Sequence, residues 1–127
     1  MERRIRVVIA DDSARARHGL RAVLATRPEC DVVGEAANGD EAIALVERLR
    51  PDVVLMDARM PGLDGAQATR IVKARWPGVA VIGLSMGPGE RAAMLAAGAD
   101  AFFAKAEPID GLLMALTALT ARLGDTQ

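Results

Sequence analysis

Five short apolar runs, Ile5–Ala10, Asp31–Ala36, Val53–Met56, Val79–Leu84 and Ala101–Ala104, alternate along the chain with five stretches of helical periodicity. No other feature restricts the fold as much. Each run has the length of a strand and too few residues for a helix. Between the runs, Ala16, Leu20, Val23 and Leu24 fall on one helical face, with Arg15, His18 and Arg21 turned outward. Gly39–Leu49 puts Ala42, Ile43, Val46 and Leu49 inward behind Asn38 as a cap. Gly65–Arg75 stops before Pro77, and Glu90–Ala97 stops at Gly98. Pro108 opens a final helix carrying Ile109, Leu112, Leu113, Leu116 and Leu123.

Five β–α units in succession predict a parallel sheet covered by helices on both faces. The fold class is therefore α/β, a flavodoxin-like (βα)5 doubly wound five-stranded sheet of order 2-1-3-4-5. All 127 residues fit one domain. Hydrophobic residues make up 51% of the chain and aromatic ones 2%, so the core must be aliphatic. A formal net charge of -1 gives the surface as a whole no preference for polyanions. The arginines of the first helix, Arg15, Arg17 and Arg21, lack aromatic platforms beside them and read as a solvated face or as a docking face for a partner. Cys30 is the one cysteine and has no internal disulfide partner. The apolar stretch Val7–Ala10 meets two aspartates, too early for a signal peptide or a membrane span. A soluble, cytoplasmic protein is expected.

In this strand order the functional crevice lies beyond the carboxyl ends of strands one and three. Strand one ends at Asp11 and Asp12, strand three at Asp57, so three carboxylates meet there. Like charges this close raise one another's pKa or recruit a cation. An all-oxygen donor set suits Mg²⁺. Strand four ends at Ser85, a hydroxyl donor, and strand five is followed by Lys105, an ammonium. A carboxylate with those neighbours can accept a phosphoryl group. Asp57 is the expected acceptor.

The segments "VVIADDS", "VVLMDARMPGLDG", "GLSM" and "GADAFFAK" resemble, in order, the receiver domains of two-component response regulators. "GEAANGDEAI" and "LRPDVVLMDARMPG" are most similar to the NarL/LuxR-type subgroup. The resemblance implies that Asp57 is phosphorylated by a sensor histidine kinase. Asp11, Asp12, Asp57 and the backbone carbonyl of Arg59 would hold Mg²⁺. Ser85 and Lys105 would contact the phosphoryl oxygens, and Phe102 would be a rotating aromatic that reports the switch. Such a chain catalyses only its own phosphotransfer and dephosphorylation, and controls an output such as a helix-turn-helix DNA-binding domain. The departures are Ala106 after the lysine, where proline is common, and Phe102 in place of tyrosine. "MGPGE" suggests a short or displaced start to the fourth helix.

Two other readings compete. One is a receiver-like interaction module that works without phosphorylation; the intact set Asp11, Asp12, Asp57, Ser85 and Lys105 speaks against it. The other is an aspartate-nucleophile phosphatase, whose D-x-D pair "ADDSA" lacks. The fourth and fifth helices carry Met94, Met114, Ala115, Ala118 and Ala121 beyond one inward stripe, which predicts a homodimer or domain contact. Asp64 reads as turn and cap chemistry, and Trp76 as packing at a helix end.

Overall fold

The computed structural model describes residues 4–125. The elements run β1 (Ile5–Ala10), α1 (Ala14–Leu24), β2 (Cys30–Ala36), α2 (Gly39–Leu49), β3 (Val53–Asp57) and α3 (Gly65–Arg75). They continue with β4 (Ala80–Ser85), α4 (Arg91–Ala96), β5 (Ala101–Ala104) and α5 (Ile109–Asp125). All strand pairs are parallel, and the sheet order is β2-β1-β3-β4-β5. This is the flavodoxin-like architecture expected from the alternation.

The strands alternate between two cores. Val7, Ile9, Val53, Leu55 and Ile82 meet Leu24 of α1 and Leu112 and Leu116 of α5. Val8, Ala10, Val54, Met56 and Val81 meet α2, α3 and α4 through Val46, Val72 and Met94. With a contribution of roughly 1.5–3 kcal/mol per fully buried large aliphatic side chain, these two layers dominate the stability. Three helices begin with side-chain caps. Ser13 Oγ accepts from the Ala16 N–H at 3.1 Å, and Asn38 Oδ1 accepts from the Glu41 N–H at 2.9 Å. Asp64 and Gln67 form a reciprocal capping box at 2.8 and 3.0 Å.

Several boundaries differ from the sequence expectation. The fourth strand runs Ala80–Ser85, one residue later than predicted, because the Val79 N–H closes a turn onto the Trp76 carbonyl while Ser85 pairs with Ala104. β2 starts one residue early, at Cys30, where burial and Glu29 push the thiol pKa up. Residues 88–90 form a single 3₁₀ turn, leaving α4 only six residues, in line with the short start that "MGPGE" suggests.

Met94 corrects the interface expectation: it is fully buried, because the narrow space over Gly83 needs a long flexible side chain to fill it. Ala115 also packs against the core. Met114 and Ala118 stay exposed, and the side chains of Ala121 and Leu123 lie outside those described. Trp76 packs at the end of α3 as expected, with the Arg50 guanidinium 5.3 Å from its ring centroid. His18 is exposed. Arg17 and Arg21, by contrast, are not simply solvated, since both pair with Glu35 of β2 at 3.1 Å. Among the described residues no helix is long and apolar enough to cross a membrane.

Candidate functional site

At the carboxyl end of the sheet, the backbone brings together residues far apart in sequence. The Asp11 N–H donates to the Ala36 carbonyl at 3.0 Å, and the Arg17 guanidinium donates to the Asp11 carbonyl at 2.7 Å. The Asp11 side chain is thereby aimed into the crevice, where it accepts from the Ser13 N–H at 2.9 Å. Asp57 closes β3. Behind it, the Ala58 N–H donates to the Leu84 carbonyl at 2.8 Å and the Gly65 N–H to the Ala58 carbonyl at 3.0 Å. A Cβ on residue 65 would lie 2.1 Å from the Asp57 carbonyl oxygen, so glycine is required by this close approach. Lys105 is placed by its N–H, which donates to the Ser85 carbonyl at 2.5 Å.

Asp11, Asp57 and Ser85 are 1%, 5% and 1% exposed, whereas Asp12 stands at the solvent edge. Lys105 Nζ donates to Asp11 Oδ2 at 2.6 Å and lies 3.7 Å from Asp57 Oδ2. The Arg59 N–H reaches Asp57 Oδ1 at 3.5 Å. Burial, then the Asp11 charge, push the Asp57 carboxyl up to about 6, against the opposing pull of Lys105 and the Arg59 N–H. Asp12 raises it further. A buried carboxylate held this reluctantly ionised gains from any cation placed beside it.

The donor set fits Mg²⁺. One oxygen from each of Asp11, Asp12 and Asp57 lies within 4.8 Å of the others, and carboxylate oxygens are the hard ligands this ion takes. Asp11, Asp12, Asp57 and Lys105 meet at one crevice, while Ser85 ends the neighbouring strand β4 and gives its hydroxyl to Glu90.

Phe102, expected from the resemblance to be a rotating aromatic, is buried against Met94 and over Gly83. The Arg91 guanidinium lies 5.9 Å from its centroid.

One residue escaped the sequence reading. Glu90 accepts the Ser85 hydroxyl on Oε1 and the Arg59 guanidinium on Oε2, the latter at 3.1 Å. The available signal was an acid five residues beyond Ser85, but an acid at a helix start reads as dipole compensation.

Comparison with known proteins agrees with this geometry. The response regulator receiver domain family matches residues 7–117. The transcriptional regulatory protein DegU of Brevibacillus brevis is 38% identical over 117 residues, covering 91% of this chain and 50% of that protein. The response regulator domain of Thermotoga maritima CheB superposes with a TM-score of 0.86 at 30% identity, over 94% of this chain and 98% of that one. A LuxR-family two-component response regulator from Aurantimonas gives 0.86 at 31% identity, over 93% and 86%. A protein-glutamate methylesterase/protein-glutamine glutaminase of Pyrococcus horikoshii is 44% identical over 77 residues, 61% of this chain and 21% of that protein. The chain thus spans half or less of these curated relatives. With its sheet order, its acidic crevice and this match over most of its length, the chain belongs to the response regulator receiver domains.

Proposed function

We propose that Asp57 accepts a phosphoryl group from the phosphohistidine of a sensor histidine kinase. The observation that carries this reading is the convergence of a buried, high-pKa carboxylate with Lys105 and two further acids, at the end of a strand that pairs with the one Ser85 closes. An Asp57 carboxylate oxygen attacks phosphorus while the bond to the histidine nitrogen breaks, and the electron pair leaves with that nitrogen. Lys105, whose ammonium lies between Asp11 and Asp57, neutralises oxygen charge as it moves across the transferring group. Ser85 offers a hydroxyl to a phosphoryl oxygen. Water later attacks the phosphorus of the acyl phosphate and restores the carboxylate.

Asp11, Asp12, Asp57 and the Arg59 carbonyl would hold Mg²⁺. When bound, that ion supplies charge neutralisation and a template for the phosphoryl oxygens. The proposed output is control of transcription, through a downstream or separate helix-turn-helix domain, supported by the regulatory relatives named above. The proposed location is the cytoplasm. A homodimer through α4 and α5 is proposed from the exposed Leu95, Ile109 and Met114.

The test is labelling. With Mg²⁺ and acetyl phosphate, the protein should gain one phosphoryl group by intact mass spectrometry, and Asp57→Asn should gain none. Equal labelling of the two proteins would overturn the assignment, and no labelling of either would favour the phosphorylation-independent module.

A further inference from the structure

Glu90 makes two side-chain contacts at the start of α4. It occupies the N-cap position of α4, yet its carboxylate makes no capping bond there. Instead one oxygen takes the Ser85 hydroxyl and the other the Arg59 guanidinium. The Arg59 side chain is 82% exposed, so its ion pair with Glu90 adds little to stability in water. The weight of the arrangement lies in Ser85, which is 1% exposed and has its hydroxyl hydrogen committed to Glu90. These residues are not remote from the crevice. Glu90 and Arg59 line one cleft of about 590 Å³ together with Asp12 and Asp64, and the Arg59 N–H faces Asp57 at 3.5 Å.

We propose that Glu90 is a positioning residue that latches the unmodified state, holding the Ser85 hydroxyl and the Arg59 guanidinium until an anion on Asp57 takes them. The proposal rests on the phosphoacceptor reading of Asp57. Its logic is competition for donors. A hydroxyl has one hydrogen to give, so Ser85 cannot donate to Glu90 and to a phosphoryl oxygen at once. A glutamate carboxyl is ordinarily ionised at neutral pH, so the competitor is an anion. A phosphoryl group brings more negative charge and three acceptor oxygens, which makes it the stronger claimant for both donors. The latch thereby sets how much of the binding of that anion is consumed in releasing the resting state. Loss of both donors would also free Glu90, and with it the 3₁₀ turn that leads into α4.

Beryllofluoride with Mg²⁺ serves as the probe, titrated by calorimetry into the parent, Glu90→Ala, Ser85→Ala and the double variant. Glu90→Ala should bind the probe more tightly by about tenfold or more, the change expected at the low end for one charge-assisted hydrogen bond released. On the Ser85→Ala background the gain should be clearly smaller, because no hydroxyl remains to be released. An equal gain on both backgrounds would mean only that a negative charge had been removed, and would overturn the latch. So would the absence of any gain in Glu90→Ala, provided its amide spectrum shows the fold intact. A parent that does not bind the probe at all would defeat the phosphoacceptor reading, and the latch with it.

Discussion

Lys105 sits closer to Asp11 than to Asp57: its ammonium is 2.6 Å from one carboxylate and 3.7 Å from the other. The lysine therefore balances Asp11 first and Asp57 second. Its position also makes it a competitor of any cation for Asp11.

Replacing that lysine should separate the two roles. In Lys105→Met, Mg²⁺ loses its resident rival, and calorimetry should show affinity rising severalfold or more, since a unit charge about 4 Å away is worth about 1 kcal/mol in bulk water and about 4 kcal/mol near a protein surface. Without metal, Asp11 is left buried and uncompensated, and the variant should lose about 2 kcal/mol of stability in urea unfolding. Labelling by acetyl phosphate should slow despite the tighter metal.

The raised pKa of Asp57 makes a prediction about pH in metal-free buffer. The native carboxyl titrates at about 6 against an ordinary 3.8, so the native state holds the proton more tightly than the unfolded chain does. Stability therefore rises as pH falls through about 6, and the penalty is fully present above it. Asp57→Asn removes the penalty. It should be more stable than the parent by about 1–2 kcal/mol at neutral pH, with the difference shrinking steadily toward pH 4. Thermal melts followed by circular dichroism across that range check it. A pH-independent difference would contradict the electrostatic origin.

The exposed side chains Leu95 (40%), Ile109 (39%) and Met114 (73%) bear on assembly. Sedimentation should show parent protein moving toward dimer with beryllofluoride and Mg²⁺. Met114→Glu should stay monomeric while binding the probe normally, since it lies on α5 facing solvent and away from the acids. A parent that stays monomeric in both conditions would remove the dimer proposal.

What was legible in the sequence was what periodicity and topology control. Strands buried on both faces must be apolar throughout, so the runs ending at Asp11, Asp57 and Ser85 announced themselves, and the strand order then brought those ends together. Gly39–Leu49 and Gly65–Arg75 were readable to the residue because cap and breaker chemistry is local. What escaped was decided by contacts between distant elements. The role of Glu90 depends on Arg59 lying across the cleft, and the burial of Met94 depends on the gap above Gly83. The clasp of Arg17 and Arg21 on Glu35 depends on which helix face meets β2. None of these leaves a periodic trace.

The two connections that flank the acceptor differ in rigidity. On one side, α3 is pinned at its first residue: Gly65 has no room for a side chain over the Asp57 backbone, and the Asp64–Gln67 box fastens the turn before it. On the other side, a connection with open space around Gly87 and Gly89 leads to a six-residue helix with no side-chain cap. If Asp57 accepts a phosphoryl group as proposed, the added group would meet a fixed post at α3 and, once Glu90 lets go, a short lever at α4.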